Sequence, residues 1–304
     1  MDKSLLGSLV VIVGEENVRP LEPLALHTTF KIGGPVDAFV SPRSVEEVSR
    51  VVCACEQASV PWRVIGCGSD LLVSDEGVEG VVIEVRDNLS AIRVDGTRIV
   101  AGAGATNAAV AEAACAAGLS GYEFACGIPG TVGGAAIMNA GAYDGEFSQV
   151  CACITCVTPE GRIVEVPREE AEWSYRHSMF DAARYVVVAA TLELTLADSA
   201  DIRARMDELT AKREAKQPID MPSAGSTFKR PEGHFAAALI DQAGLKGLSI
   251  GGAQVSTKHT GFVVNAGDAT SGDVQALIAE VQRRVLESSG VALEPEVRMW
   301  SREA

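Results

Sequence analysis

Three glycine-rich stretches carry the first chemistry this sequence offers: Gly66-Cys67-Gly68-Ser69, Gly102-Ala103-Gly104 and Gly127-Ile128-Pro129-Gly130-Thr131-Val132-Gly133-Gly134. Glycines let a backbone approach an anion and aim successive N–H groups at it, which suits a pyrophosphate. The bland alternative is three tight turns. The first stretch follows a strand-like run but lacks the third glycine of the dinucleotide fingerprint and the lysine of a P-loop, so neither a standard NAD-binding fold nor an NTPase is indicated. Cysteines are the other conspicuous chemistry, eight in all. Cys151, Cys153 and Cys156 fall on a predicted strand, Cys151 and Cys153 on one face and Cys156 on the other, with no second pair at zinc-finger spacing. They read as reduced thiols used as small apolar residues, and no metal is expected.

These loops need elements to hold them. Ser44 and Glu47 form a capping box for a helix from Ser44 to Ser59, with Val45, Val48, Val51, Val52 and Cys55 on one face. Pro61 to Ile65 and Gly80 to Val85 read as strands on either side of the first glycine loop. Ile92 to Val94 and Arg98 to Ala101 form a hairpin across Asp95-Gly96. An alanine-rich helix from Asn107 to Ala117 is closed by Gly118. Ile154 to Val157 and Ile163 to Val166 flank the turn Pro159-Glu160-Gly161. Tyr185 to Ala190 is a continuous apolar strand, after which the alternation of Leu192, Leu194 and Leu196 suggests a half-exposed edge. A charged helix from Asp201 to Lys216 buries Ile202, Met206 and Leu209 and pairs Glu208 with Lys212; Pro218 ends it. Helices from Phe235 to Ala243 and from Asp273 to Ser289 follow, stopped by Gly244 and Gly290. The last stretch, Val291 to Trp300, alternates as a strand would, with Leu293, Val297 and Met299 opposite Glu294, Glu296 and Arg298.

The pattern is α/β (α+β), and a chain of 304 residues exceeds one ordinary core. The boundaries fall into domains 1–88, 89–197 and 198–304. A formal charge of −15 repels nucleic acids and anionic membranes, so nucleic acid is not an expected partner. Any phosphate site must therefore draw its positive potential from backbone N–H groups and a few cations. The apolar run near the N-terminus is too short to span a bilayer and shows no cleavage site, which indicates a cytoplasmic protein without membrane insertion.

Seven ordered motifs carry a resemblance: Thr29-Phe30-Lys31-Ile32-Gly33-Gly34, Val64 to Val73, Gly127 to Gly134, Asn139-Ala140-Gly141-Ala142-Tyr143, Ser174-Tyr175-Arg176-His177-Ser178, Ala224-Gly225-Ser226-Thr227-Phe228-Lys229 and Leu293-Glu294-Pro295-Glu296-Val297-Arg298. Over about Pro20 to Trp300 the chain resembles the UDP-N-acetylenolpyruvoylglucosamine reductases, in the shorter form that lacks an extra tyrosine-bearing loop. The resemblance implies a vanillyl-alcohol-oxidase type FAD-binding fold of two subdomains plus a C-terminal substrate-binding domain. It implies FAD, held non-covalently, with NADPH as reductant and a UDP-sugar enolpyruvyl ether as substrate, in ping-pong order. Cofactor-binding residues would be Gly66, Cys67, Gly68, Ser69, Asp70, Leu71, Gly127, Ile128, Thr131, Gly133 and Asn139.

The same resemblance makes Ser226 the proton donor and assigns Arg176 and Glu296 to stabilising the intermediate. The chemistry is consistent with these types. Hydride arriving at the terminal enolpyruvyl carbon leaves negative charge on the next carbon and its carboxylate, which a guanidinium offsets. A serine hydroxyl in a glycine-flanked turn can deliver the proton, and a protonated Glu296 can hydrogen-bond the intermediate. Lys229, Lys258 and His259 would supply positive potential for the diphosphate, and Tyr175 would line the substrate pocket. Two positions depart from the family pattern: Asp70 and Arg230, where asparagine is common. The alternatives are a flavin oxidase of a small alcohol and a non-catalytic nucleotide-sugar or flavin-binding protein. Against a tethered flavin, the loop offers Cys67 and Asp70 but no histidine.

Overall fold

Ser44 turns a polar stretch into a helix: its hydroxyl accepts from the Glu47 amide at 3.2 Å, and Val45–Gln57 follows with Val48, Val51, Val52 and Cys55 buried. The capping box is only half formed. Glu47 instead accepts from the Arg43 amide at 2.7 Å and pairs with the Arg43 guanidinium at 2.9 Å, because a charged partner is the stronger hydrogen-bond donor. These elements belong to a computed structural model that describes residues 3–302. Met1 and Asp2 of the N-terminal stretch, and Glu303 and Ala304 at the end of the expected third domain, lie outside the described residues.

By packing, the chain divides into two compact units: residues 1–20, 38–67 and 80–213, and residues 21–37, 68–79 and 214–304. The expected domains 1–88 and 89–197 thus fall largely into one unit. The physical reason is a shared core. Val48, Val51 and Ile83 from the first stretch and Ile99, Val110 and Val187 from the second belong to one apolar cluster. The helix Ser199–Lys216, expected to open the third domain, also sends Ile202 and Met206 into that cluster.

The first unit carries a four-stranded sheet in the order Val18–Pro23, Pro35–Val40, Val78–Glu84, Trp62–Ile65, the last two parallel. Beside it in sequence stands a five-stranded antiparallel sheet in the order Ile163–Pro167, Cys151–Val157, Val186–Glu193, Arg98–Gly102, Ile92–Asp95. Val186–Glu193 is therefore the central strand, and Leu192 and Leu194 are buried; only Leu196 emerges, at 77% exposure. The strand is central rather than an edge, yet its far end is one-sided as the alternation implies, with Leu192 buried, Thr191 half-buried and Glu193 exposed. The cysteine faces also differ from expectation. Register shifts between Cys151 and Cys153 and between Thr155 and Cys156 break the alternation, so Cys151 and Cys156 are both buried and Cys153 is half-buried. Burial pushes the Cys55 and Cys151 thiols up to about 12, which suits core residues. Among the described residues no group of His, Cys, Asp or Glu is placed to hold a metal ion, and no helix is long and apolar enough to cross a membrane.

The second unit has its own core of Phe30, Leu72, Phe228, Leu239, Leu277 and Val281. Helix Ser271–Ser289 starts at a full capping box of Thr270 and Asp273 and ends at Gly290 in the left-handed region, φ 73°. Ala236–Gln242 packs against it, with a three-stranded antiparallel sheet of Ser249–Ile250, Ala253–Val255 and Val263–Asn265. Only the end of the expected last strand is regular: Arg298–Trp300 pairs in parallel with Leu71–Val73. Met299 is 43% exposed rather than facing inward with Leu293 and Val297. A bend at Val297 interrupts the alternation between the bridge of Pro295 to Phe228 and the strand Arg298–Trp300.

Candidate active site

In the first unit the glycine loops come together by packing against one another. A Cβ on Gly66 would lie 2.5 Å from Thr131 Oγ1, and one on Gly133 would lie 3.0 Å from the Ala103 Cβ. One on Gly104 would run into the Arg86 carbonyl. The Val132 and Gly133 amides donate to Ala105 O at 2.8 Å and Ala103 O at 2.9 Å. These glycines admit close protein neighbours: the Thr131 and Ala103 side chains at Gly66 and Gly133, and the Arg86 carbonyl at Gly104. The Cys67, Gly130 and Thr131 amides donate to no acceptor among the described residues; Thr131 is buried and Cys67 and Gly130 are half-buried. Unpaired N–H groups beside a glycine-built junction fit a bound pyrophosphate. Gly127 and Ile128 lie just ahead in the same loop, and Thr131 then caps helix Val132–Ile137 through Gly134 N.

Burial pushes the Cys67 thiol up, so it is protonated near neutral pH and a poor nucleophile. The other half of that loop, Gly68, Ser69, Asp70 and Leu71, belongs to the second unit. Gly68 has φ 59°, and a Cβ there would collide with the His27 carbonyl. His27 thus approaches the loop through its main chain, while its imidazole pairs with Glu22 at 2.9 Å.

Arg176 stands in the first unit, in a two-residue turn closed by Ser174 N to His177 O and His177 N to Ser174 O, both 3.2 Å. Its backbone is left-handed, φ 56°, a strained conformation for arginine. Asn139, Tyr143, Asp144 and Glu172 are also left-handed, so strain is concentrated around this turn. The Arg176 guanidinium donates to Gly141 O at 3.4 Å and lies 4.8 Å from the centre of the Tyr175 ring. Tyr175 is 51% exposed. The side chain of Asn139, a residue expected at the cofactor, bonds the backbone of this turn and of Ser148.

In the second unit the backbone of Glu296 pairs with Thr227, the residue after Ser226. Residues 227–229 run against 294–296: Glu296 N donates to Thr227 O at 2.8 Å, Lys229 N donates to Glu294 O at 2.9 Å, and Phe228 bridges Pro295. Ser226 is the exposed residue immediately before this ladder, following Gly225 at φ 75°. The ladder continues on the other side, where Thr227 N donates to Gly261 O at 2.8 Å and Val263 N donates to Thr227 Oγ1 at 2.8 Å. Two residues past Glu296, Arg298 N donates to Asp70 O at 2.9 Å, so the cofactor loop is tied to the strand of Glu296. Thr29 adds a link that sequence reasoning left unassigned: its amide donates to Gly68 O at 3.2 Å and its hydroxyl to Ser223 O at 2.6 Å.

The proposed cations are less available than their types suggest. Lys229 Nζ pairs with Glu294 at 2.5 Å, and Lys258 Nζ donates to Glu214 O at 2.7 Å. Burial pushes His259 below its ordinary value, and its Nδ1 accepts from Gly261 N at 3.2 Å, so the ring is neutral and offers no charge near neutral pH. Arg230 sits 4.1 Å over the Phe235 ring. The cation that sequence reading missed is Arg213. Its stem packs on Gly127, 2.9 Å from where a Cβ would be, and burial lowers its pKa. It has no carboxylate partner among the described residues. The only sequence signal was its place in the last turn of a charged helix, which looks like solvated surface.

Comparisons with known proteins bear on this geometry. The family description "FAD binding domain" matches residues 36–167, and "UDP-N-acetylenolpyruvoylglucosamine reductase, C-terminal domain" matches residues 217–300. The chain is 48% identical over 303 residues to the UDP-N-acetylenolpyruvoylglucosamine reductase of Lachnoclostridium phytofermentans, covering 98% of each. It is similar to the crystal structure of UDP-N-acetylenolpyruvylglucosamine reductase from Thermus caldophilus, with a TM-score of 0.81 and 35% identity over 93% of this chain and 100% of that one. A glucose oxidase variant of Phl p 4 shares the fold alone, with a TM-score of 0.50 and 16% identity over 72% of this chain and 51% of that one.

Proposed function

The chain belongs to the UDP-N-acetylenolpyruvoylglucosamine reductase family, and from that premise we propose how its residues divide the work. It is an FAD-containing oxidoreductase that uses NADPH to reduce the enolpyruvyl ether of UDP-N-acetylglucosamine to UDP-N-acetylmuramate, a peptidoglycan precursor. Its fold is the vanillyl-alcohol-oxidase type of FAD-binding fold joined to a C-terminal domain of this family. FAD, when bound, would supply the hydride-transfer chemistry that links NADPH to the terminal enolpyruvyl carbon.

The loops around Gly66, Gly127 and Thr131 hold the dinucleotide through main-chain amides, with Arg213 adding local positive charge that an acidic chain otherwise lacks. Arg176 faces the substrate carboxylate and offsets the charge that builds there. Ser226 delivers the proton to the adjacent carbon, and Glu296, fixed one ladder step away, hydrogen-bonds the intermediate. Lys229, Lys258 and Tyr175 contribute to the nucleotide-sugar pocket, and His259 serves as a neutral hydrogen-bonding group there. Domains 1–88, 89–197 and 198–304 remain the proposed ligand-binding divisions. The formal charge of −15 supports a cytoplasmic enzyme without a nucleic-acid partner.

The observation that supports the residue assignment is the ladder between residues 227–229 and 294–296, whose bond from Glu296 N to Thr227 O starts at the residue next to Ser226. The test of the reading as a whole is the absorbance of the purified protein. Flavin bands should bleach with NADPH and return with the enolpyruvyl sugar, and acid should release all the colour; colour left on the acid pellet would mean a covalent flavin.

A further inference from the structure

Both ends of the Asn139 carboxamide are engaged by the main chain. Nδ2 donates to Ser174 O at 3.1 Å, Oδ1 accepts from Ser148 N at 2.9 Å, and the residue is 1% exposed. Its backbone is left-handed, φ 41°, which asparagine tolerates better than most side chains. That conformation ends helix Val132–Ile137 and turns the next residues back toward the Arg176 turn.

Three contacts tie that turn to residues 137–141: Asn139 Nδ2 to Ser174 O, Ser178 Oγ to Ile137 O at 2.8 Å, and Arg176 Nη2 to Gly141 O at 3.4 Å. Ser178 is as deeply buried as Asn139, so two of the three contacts are shielded from water. The helix that supplies them starts at Thr131, inside the cofactor loop. One short rigid element therefore has the dinucleotide loop at its first residue and the arginine turn at its last.

We propose that Asn139 is a positioning residue: it clamps the strained Arg176 turn to the end of the cofactor-loop helix and so sets where the guanidinium meets the substrate carboxylate. The proposal rests on Arg176 acting on the substrate, as read above. Without the carboxamide, the left-handed arginine has lost the contact that holds Ser174, and the turn relaxes toward the extended or helical backbone that arginine prefers. A displacement of about 1 Å in a catalytic group is enough to lower a rate about 100-fold.

The experiment uses the FAD-loaded enzyme and measures the NADPH and enolpyruvyl-sugar half-reactions separately. Asn139→Gly keeps the left-handed backbone without strain and deletes both side-chain bonds. Its rate constant for reducing the enolpyruvyl sugar should fall roughly 30- to 100-fold, with bound flavin, its spectrum and the NADPH half-reaction unchanged. Asn139→Asp, which keeps the acceptor for Ser148 N and loses the donor to Ser174 O, should show the same selective loss. In an Arg176→Ala background, Asn139→Gly should change the rate by no more than about twofold, because the two act through one contact.

A full rate in Asn139→Gly, or an undiminished loss in the Arg176→Ala background, overturns the positioning role. If Asn139→Gly loses its flavin, Asn139→Asp decides: flavin retained with the rate lost upholds the proposal, and flavin lost again overturns it. Arg176→Ala reducing the sugar at the full rate would instead remove the reading beneath it, a result distinguishable because it needs no change at Asn139.

Discussion

Arg176 occupies a left-handed turn that main-chain bonds close and that side chains, the Asn139 carboxamide and the Ser178 hydroxyl, tie to its neighbours, whereas Ser226 precedes a strand held to its neighbours mainly by main-chain bonds on both sides. The difference matches what each group is asked to do. A guanidinium has to be aimed over the length of a long side chain, so its backbone is bent and then clamped. A serine hydroxyl reaches only one bond beyond its Cβ, so its placement is decided by the ladder beneath it. It follows that the arginine is sensitive to remote side-chain changes and the serine largely is not.

The largest expected effect removes the chemistry and leaves the ladder. Ser226→Ala should oxidise NADPH and hold FAD normally yet lose about 10²- to 10⁴-fold in reduction of the enolpyruvyl sugar, the range of a positioned proton donor. Stopped-flow bleaching and recovery of the flavin bands separates the two steps. Recovery at the full rate would take Ser226 out of the reaction and leave its strand as scaffold only.

A smaller effect asks whether that strand is really held by its main chain. Thr227→Val leaves the Val263 amide without its acceptor in a residue 1% exposed, a loss of about 1–3 kcal/mol in stability. The bonds of Thr227 N and O to Gly261 and Glu296 survive the change. Thermal unfolding should therefore shift clearly while the sugar-reduction rate stays within about tenfold. A rate loss as large as that of Ser226→Ala, with unfolding unmoved, would erase the contrast with Arg176.

How far the sequence reveals these arrangements depends on the distance over which they are built. Caps, glycine stops and hairpins are local: Ser44, Gly118, Gly161 and Gly290 stand where the pattern puts them. The pairing of residues 227–229 with 294–296 joins segments about 65 positions apart, and no periodicity specifies such a register. The family motifs placed Ser226 and Glu296 on the same list without saying that they share a strand pair. The glycine loops were found for a reason that holds only in part, because their missing side chains are replaced by protein and the ligand is left with amides. Arg213 and Asn139 show the limit of sequence reading, since only the fold shows whether a polar side chain has a partner.

The smallest expected effect concerns His259, a group of the serine's unit that depends on its surroundings as the arginine turn does. Burial lowers its pKa, with Lys216 adding to the shift in the same direction. A depressed folded-state value means that the unfolded chain binds the proton first, so the histidine's contribution is complete above the unfolded value of about 6.5. It is lost as pH falls through the folded value, where protonation also takes away the lone pair that accepts from Gly261 N. Gly261 O in turn receives the Thr227 amide, so loosening this corner by acid should be felt in the Ser226 strand. His259→Gln keeps an acceptor without a proton to gain, and its unfolding midpoint should therefore fall less steeply than the parent's between pH 7 and 5. Parallel slopes in the two proteins would show that the acid sensitivity lies elsewhere and that the strand keeps its independence of side chains even there.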